Sequence, residues 1–306
     1  MFSYRHAFHA GNHADVFKHT VLVAVLRHLT QKDTALTVFD THAGAGLYRL
    51  DGDYAGTSGE ADDGVLKLFS ALAPAGGAKP AIEAIAPAVA DYLALVAGFN
   101  APGTPKIYPG SPFVAQRLLR QEARDKLKLF ELHPVDGKTL AANIAQLEAG
   151  RQVSVAREDG FEGLKAFLPP PARRALVLID PSYEIKSDYG KVVACVQDSL
   201  KRFATGTYVV WYPVIPRPEA HDLPRRLKTL ANQAAKPWLH AVLAIGQREE
   251  KAPAGETGRR PGLTASGIFI VNPPHTLKAA LQLALPQLLQ VLGRGRGSAQ
   301  TIANGG

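Results

Sequence analysis

The chain has 306 residues, 46% hydrophobic and 20% charged, with 35 basic against 27 acidic side chains for a net charge of +8. These are globular proportions, sufficient for one large domain or two small ones, and glycine plus proline stays below the roughly 25% typical of low-complexity chains. The single cysteine, Cys195, excludes an intramolecular disulfide and favours a reducing, cytoplasmic compartment. No apolar run reaches the length of about 18 residues needed to span a bilayer, and Val21–Leu26 is too short for a signal-peptide core.

In chain order, a histidine-rich segment from Tyr4 leads into a helical pattern over 14–29, followed by the strand Leu36–Asp40 (LTVFD). From about 52 to 109 no strand is predicted. Helical patterns near 60–72 and 80–97 make residues 52–107 a small helical insertion. Beyond it come a helix at 113–122, the strand Leu127–Leu132, a helix at 135–148 and the strands Val153–Arg157 and Ala175–Asp180. A helix at 187–203, the strand Tyr208–Tyr212, a helix at 219–232, the strands Leu239–Ile245 and Gly267–Val271 and a helix at 275–292 complete the pattern. This alternation predicts an α/β domain over 1–51 and 108–293, with a mostly parallel sheet covered on both faces. The glycine-rich, polar residues 294–306 read as a disordered tail.

Asp40-Thr-His42-Ala-Gly44-Ala-Gly46 follows a strand directly. A glycine-rich turn there lets a cofactor approach the backbone at the carboxyl edge of a parallel sheet. The dinucleotide pattern fails because Arg49 stands where a third glycine belongs, and no Gly-Lys-Ser/Thr follows for a phosphate loop. An acid with glycines four and six places on suits S-adenosylmethionine, whose amino-acid end lies over such a turn. A ligand-free turn explains this motif alone equally well.

Asp180-Pro181-Ser182-Tyr183 also follows a strand, and it approximates the Asp/Asn-Pro-Pro-aromatic tetrapeptide of amino-group methyltransferases. An exocyclic amine is a poor nucleophile while its lone pair is delocalised into the base. A carboxylate (Asp180) and a carbonyl (Pro181) that accept both amine hydrogens localise that pair, and Tyr183 would stack on the base. The bland alternative is an Asp-Pro turn ending a strand. Asn272-Pro273-Pro274-His275 has similar spacing but lacks the carboxylate and is read as an ordinary strand end.

Four of the ten histidines, His6, His9, His13 and His19, lie in the first nineteen residues beside Tyr4 and Lys18. Zinc would need four ligands, usually thiolates among them, so a nucleic-acid contact or the mouth of a site is the better reading, with no metal. Glu131, Asp159-Gly160 and Ser111 fall at element ends. Glu131 could bond ribose hydroxyls, Asp159 an adenine amine, and Ser111 either a helix end or a ligand. Asp40, Glu131, Asp159 and Asp180 thus place acids at four strand ends, as a nucleoside pocket requires. The basic groups Arg117, Arg120, Arg124, Arg225, Arg226 and Lys228 could guide an RNA backbone or simply face solvent.

With SYRHAFHAGNHADVFKH, DTHAGAG, YPGSP, ELHP, DGF, LIDPSYE and LTASG in order from residue 3 to about 275, the chain resembles the bacterial 23S ribosomal RNA adenine-N6 methyltransferase family RlmJ. The resemblance implies a Rossmann-like, class I S-adenosylmethionine-dependent methyltransferase sheet with a small helical subdomain. It also implies cofactor contacts at His19, His42, Ser111, Glu131, Asp159 and Gly160, to which the residue reading adds Lys18, Asp40, Gly44 and Gly46. Asp180 would engage the target amine and take its proton, and Tyr4, with His6 beside it, would meet 23S ribosomal RNA. The expected protein is a cytoplasmic monomer with no membrane partner. Ser182 departs from the usual proline. Methylation of DNA adenine or of a protein glutamine, and an RNA-binding relative with weakened catalysis, remain the alternatives.

Overall fold

The computed structural model describes residues 5–52, 57–73, 82, 84–247 and 262–306. A 3-10 turn, His6–Phe8, precedes helix α1 (His13–Leu29), whose first turn is capped by the Asn12 side chain accepting from the Ala14 and Asp15 amides. After β1 (Thr37–Asp40) come β2 (Leu47–Arg49), α2 (Val65–Leu72), α3 (Pro87–Ala97) and β3 (Ile107–Pro109). The chain continues through α4 (Ser111–Leu118), β4 (Lys126–Phe130), α5 (Pro134–Ala145), β5 (Val153–Ala156), the short α6 (Gly160–Gly163) and β6 (Ala175–Ile179). It ends with α7 (Ser187–Arg202), β7 (Thr207–Pro213), α8 (Pro218–Gln233), β8 (Trp238–Ile245), β9 (Ala265–Val271), α9 (Leu277–Leu292) and β10 (Ser298–Gly305). Proline occupies the first turn of α3, α4, α5 and α8, where its missing N–H costs nothing.

Eight strands form one sheet in the order β10-β8-β9-β7-β6-β1-β4-β5. The half from β5 to β7 is parallel, in the third-second-first-fourth-fifth order of a doubly wound fold, and the order reverses between β1 and β6. Val38, Leu127, Leu129, Leu176 and Leu178 point into one core with α1, α4 and α9, whereas Phe39, Phe130, Val177 and Ile179 point into the other with α7 and α8. Burial on both faces explains why these strands read as continuous apolar runs. Helix α1 lies within the larger core against α3, α4 and α9, so it is buried almost all round and its polar residues must find partners inside. Among the described residues no helix is long and apolar enough to cross a membrane.

The structure corrects several expectations. The sheet is parallel from β5 to β7, four of its seven pairings, but β9 runs antiparallel to β7 and β8, and β10 antiparallel to β8. Residues 298–305 are not a disordered tail but β10, paired along β8 from Ser298 opposite Ile245 to Gly305 opposite Trp238. A backbone ladder needs no apolar sequence, and it covers an edge that β8 would otherwise expose. Strand β3 lies within the stretch read as strandless and pairs with β2 through Tyr48 and Tyr108, a three-residue ladder too short to show periodicity. Because β9 is antiparallel, Asn272 emerges at the sheet edge opposite Asp180, where its amide donates to the carbonyls of Ala204 and Gly206. Arg120 is no free guide for RNA: it pairs with Asp125 and donates to the carbonyls of Thr30 and Lys32.

Candidate active site

The parallel strands deliver their carboxyl ends to one edge, where a cavity of about 500 Å³ opens beside α1 at the point where the strand order reverses. Open α/β sheets bind ligands at such a crevice. Asp40 pairs in register with Leu129 on one side and Leu178 on the other, which sets Glu131 and Asp180 just past the neighbouring strand ends. Of the residues expected here, Lys18, His19, His42, Gly44, Ser111 and Glu131 line the cavity, as do Asp159, Gly160, Asp180, Pro181, Tyr183 and His6.

Asp40 and Gly46 do not line the cavity. Asp40 is buried behind the turn, where its Oδ1 accepts from the His42 amide; burial above all lifts its pKa to about 6, against hydrogen bonds from Ser111 and His42. Both residues brace the turn. Gly44 and Gly46 have φ of +62° and +84°, and a Cβ on Gly44 would stand 2.4 Å from the Tyr48 hydroxyl, so the turn demands glycine. The Gly44 amide donates to Glu131 Oε2 at 2.7 Å and the His133 amide to Oε1 at 2.7 Å. Burial raises the Glu131 pKa, and these two amides partly restrain the shift. At the end of β5, Asp159 caps α6 by accepting from the Phe161 amide, and a Cβ on Gly160 would meet the Thr41 carbonyl at 2.0 Å. His42 packs edge-on against Phe161 at 4.7 Å, with its pKa lowered to about 4 by burial, so it is neutral at pH 7.

On α1, Lys18 and His19 reach the cavity wall side by side. The Lys18 ammonium lies 2.5 Å from Asp180 Oδ2 and 2.9 Å from Asp15 Oδ1. Burial alone would strip its proton, but the Asp15 and Asp180 charges outweigh that and raise its pKa. Asp15, itself buried, also accepts from the Gly11 amide at 2.9 Å and contacts His6 Nε2 at 3.0 Å through Oδ2. Burial pushes its pKa up, but His6 and Lys18 override this and hold it well below the usual carboxylate range. A line of contacts thus runs His6–Asp15–Lys18–Asp180. Next to it His19 is neutral, its pKa lowered to about 3 by burial and then by the Lys18 charge. Its Nδ1 lies 2.8 Å from the Tyr108 hydroxyl, and its buried Nε2 has no partner among the described residues.

The Asp180–Tyr183 loop is held in an uncommon shape. Tyr183 has φ of +54°, a strained value for a bulky residue; its hydroxyl donates to the Trp211 carbonyl at 2.6 Å, and its carbonyl accepts from Arg217 at 3.0 Å. The ring is buried between Tyr189 and Trp211, so it anchors the loop instead of offering a free face to a base. Half-buried Trp211, beside Asp180 in register, is the aromatic residue that lines this side.

Tyr4 lies outside the described residues. The other N-terminal histidines separate: His6 meets Asp15, His9 pairs with Glu60 at 3.0 Å, and His13 is buried with its pKa lowered to about 4, chiefly by burial. Among the described residues no group of three or more His, Cys, Asp or Glu is placed to hold a metal ion. Sequence reasoning missed Asp15, Trp211, Arg217 and Tyr108. Asp15 left a signal in its three-residue spacing from Lys18 on a helix, and Tyr108 in opening the motif YPGSP.

The polar groups suit the parts of S-adenosylmethionine. Acceptors stand at the ends of β4 and β5, where Glu131 and Asp159 can meet hydroxyls and an amine. Near the Gly44 turn Ser111 begins α4 and His19 presents its unpartnered Nε2 to the cavity.

A family model described as ribosomal RNA large subunit methyltransferase D, RlmJ, matches residues 33–302. Two proteins named ribosomal RNA large subunit methyltransferase J are similar over almost the whole chain. The one from Escherichia coli K12 is 39% identical over 288 residues, covering 94% of this chain and 93% of that protein. The one from Haemophilus influenzae is 38% identical over 293 residues, covering 95% and 94%. Among solved structures, protein LPL1258 from Legionella pneumophila has a TM-score of 0.79 and 30% identity, covering 97% of this chain and 98% of that one.

Proposed function

The chain belongs to the ribosomal RNA large subunit methyltransferase family RlmJ, and from that premise we propose that it methylates the exocyclic N6 amine of an adenine in 23S ribosomal RNA. It is an S-adenosylmethionine-dependent ribosomal RNA methyltransferase. The observation that carries the finer reading is the pairing of Asp180 with a permanently charged Lys18 at the cavity edge beside the Pro181 carbonyl. On this reading the cytoplasm is where it acts, as a monomer.

The strand order distributes the work. At the ends of β5 and β4, Asp159, Gly160 and Glu131 hold the adenosine part of the cofactor, while His19, Ser111 and the Gly44 turn hold its amino-acid end. S-adenosylmethionine supplies an electrophilic methyl group on a sulfonium. The next strand in the sheet, β6, carries Asp180, so the amine site adjoins the amino-acid end of the cofactor site.

Among the described residues Asp180 has one hydrogen-bonding partner, Lys18 on Oδ2, which leaves Oδ1 for an amine hydrogen. The Pro181 carbonyl accepts the second hydrogen, and the nitrogen lone pair is thereby turned toward the methyl group. Methyl transfer leaves an extra proton on N6, and Asp180 takes it. Lys18 cannot serve as the base, because both flanking carboxylates hold its proton; it orients Asp180. Trp211 and the exposed Ile185 offer the base an apolar wall, while Tyr183 keeps the loop in place.

The test is methyl transfer from labelled S-adenosylmethionine to protein-free 23S RNA, 16S RNA and duplex DNA, with nucleoside mass spectrometry of the products. N6-methyladenosine in 23S RNA alone is the expected result. Transfer to DNA, or to none of the three with the cofactor still bound, would sink this reading of the substrate.

A further inference from the structure

Tyr92 on α3 and Tyr108 in β3 are both fully buried, and their hydroxyls lie 3.2 Å apart. The Tyr108 hydroxyl is also 2.8 Å from His19 Nδ1, and the two rings stack at 5.6 Å. Among the described residues Tyr92 has no other hydrogen-bond partner for its hydroxyl, and Nε2 of His19 has none at all. A chain of three groups, Tyr92–Tyr108–His19, therefore runs from the helical segment to the cavity wall.

Counting protons sets the direction of this chain. If His19 donated from Nδ1, the two hydroxyls could donate only to each other, and one of their two protons would be left in the core with no acceptor. The Nε2 lone pair would be left unmet as well. If Tyr92 donates to Tyr108 and Tyr108 to Nδ1, both hydroxyl protons are used, and the one group left unmet is an Nε2–H on the cavity side. Buried polar groups are seldom left unpaired, so the second arrangement, with a single unmet group, prevails.

We propose that Tyr92 and Tyr108 are positioning residues that hold His19 in its Nε2–H form, so that it donates a hydrogen bond to the carboxylate of the amino-acid end of S-adenosylmethionine. The proposal rests on the assignment of His19 to the cofactor made above. A carboxylate is the ligand group that answers this corner of the cavity, because His19 Nε2–H offers its hydrogen there, beside Ser111 at the start of α4. Lys18, the nearby cation, is already committed to two carboxylates and is not free to do this work. The arrangement gives α3 a part in cofactor recognition although none of its residues lines the cavity.

The experiment uses full-length protein labelled with ¹⁵N-histidine. Long-range ¹H–¹⁵N correlation at pH 7 reads the tautomer of each ring, and the His19 signal is the one lost in His19→Gln. Binding of S-adenosylhomocysteine is measured beside that of 5′-methylthioadenosine, which keeps the nucleoside and thioether but has no carboxylate. The wild-type ring is expected in the Nε2–H form. In Tyr108→Phe it should shift to a mixture, with S-adenosylhomocysteine bound roughly tenfold more weakly, as loss of a hydrogen bond to a charged group implies. Methylthioadenosine should bind both proteins alike. Tyr92→Phe, which leaves the Tyr108 contact in place, should give the same changes to a smaller degree.

An Nδ1–H ring in the wild type would overturn the proposal, as would an unchanged tautomer and affinity in Tyr108→Phe. Equal weakening of both ligands would show that the tyrosines merely pack. Unchanged S-adenosylhomocysteine binding in His19→Gln would overturn it differently, by removing His19 from the cofactor site while leaving the direction of the hydroxyl chain intact.

Discussion

The two sides of the cavity meet at adjacent residues of one helix, and they handle burial in opposite ways. On the Asp180 side Lys18 is 5% exposed yet keeps its proton, because Asp15 and Asp180 flank it. On the other side His19 is 1% exposed and gives its proton up, because burial disfavours a charged ring and Lys18 repels one. Burial penalises charge at both positions, and the neighbours decide whether the penalty prevails. One side thereby holds a paired charge and the other a neutral ring.

The sharpest way to break this contrast is at its reacting end. Asp180→Asn should lower methyl transfer by roughly 10²–10⁴-fold, the usual worth of a positioned acid–base group, while cofactor binding stays near that of the wild type. Activity within a few fold of wild type would remove Asp180 from the chemistry. Asp15→Asn tests the supporting charge. It leaves the buried Lys18 with one carboxylate in place of two, and loss of a partner from a buried pair costs about 3–5 kcal/mol, read as a lower denaturant midpoint.

The neutral side predicts a dependence on pH. His13 and His42, with pKa values near 4, and His19, near 3, remain uncharged in the fold but titrate near 6.5 when unfolded. The unfolded chain therefore binds more protons as pH falls below 6.5, and stability should drop by about 1.4 kcal/mol per pH unit for each ring down to its folded pKa. His9 works in the opposite sense. The Glu60 hydrogen bond raises its pKa, against burial, so its contribution is full below the unfolded value and fades as pH rises through the folded one. By pH 5 His9 is protonated in both states and adds no slope, whereas Asp40, lifted to about 6, takes up a proton in the fold; three rings less Asp40 leave about two protons, and a urea midpoint unchanged between pH 7 and 5 would contradict the neutral side as described. The smallest expected effect is at Ser182, which is exposed. Ser182→Pro should alter stability by no more than about 0.5 kcal/mol and turnover by a similarly small factor.

Much of this was legible in the chain itself. The strands LTVFD and ALVLI announced themselves as continuous apolar runs because both faces are covered, and the acids that follow them mark the carboxyl edge. Asp180, Glu131 and Asp159 could be named from their places after strands. Three features left weaker traces. Strand β10 is polar and glycine-containing, and only the unpaired edge of β8 makes it a strand. Asp40 has the right residue type in the right motif, but the backbone turns it behind the loop. Tyr183 has the expected aromatic ring, yet a positive φ and the Trp211 carbonyl draw it into the core.

The sequence by itself determined the α/β architecture, the cofactor turn and the residues at the strand ends, because hydrophobic period, turn glycines and strand-terminal acids are local signals. The tertiary structure alone decided the direction of the outer strands, the pairing of Lys18 with Asp180 and the union of His19 with Tyr108. Those contacts join residues 162 and 89 positions apart. The state of a buried proton depends on such distant partners, so it is settled only when the chain closes around it.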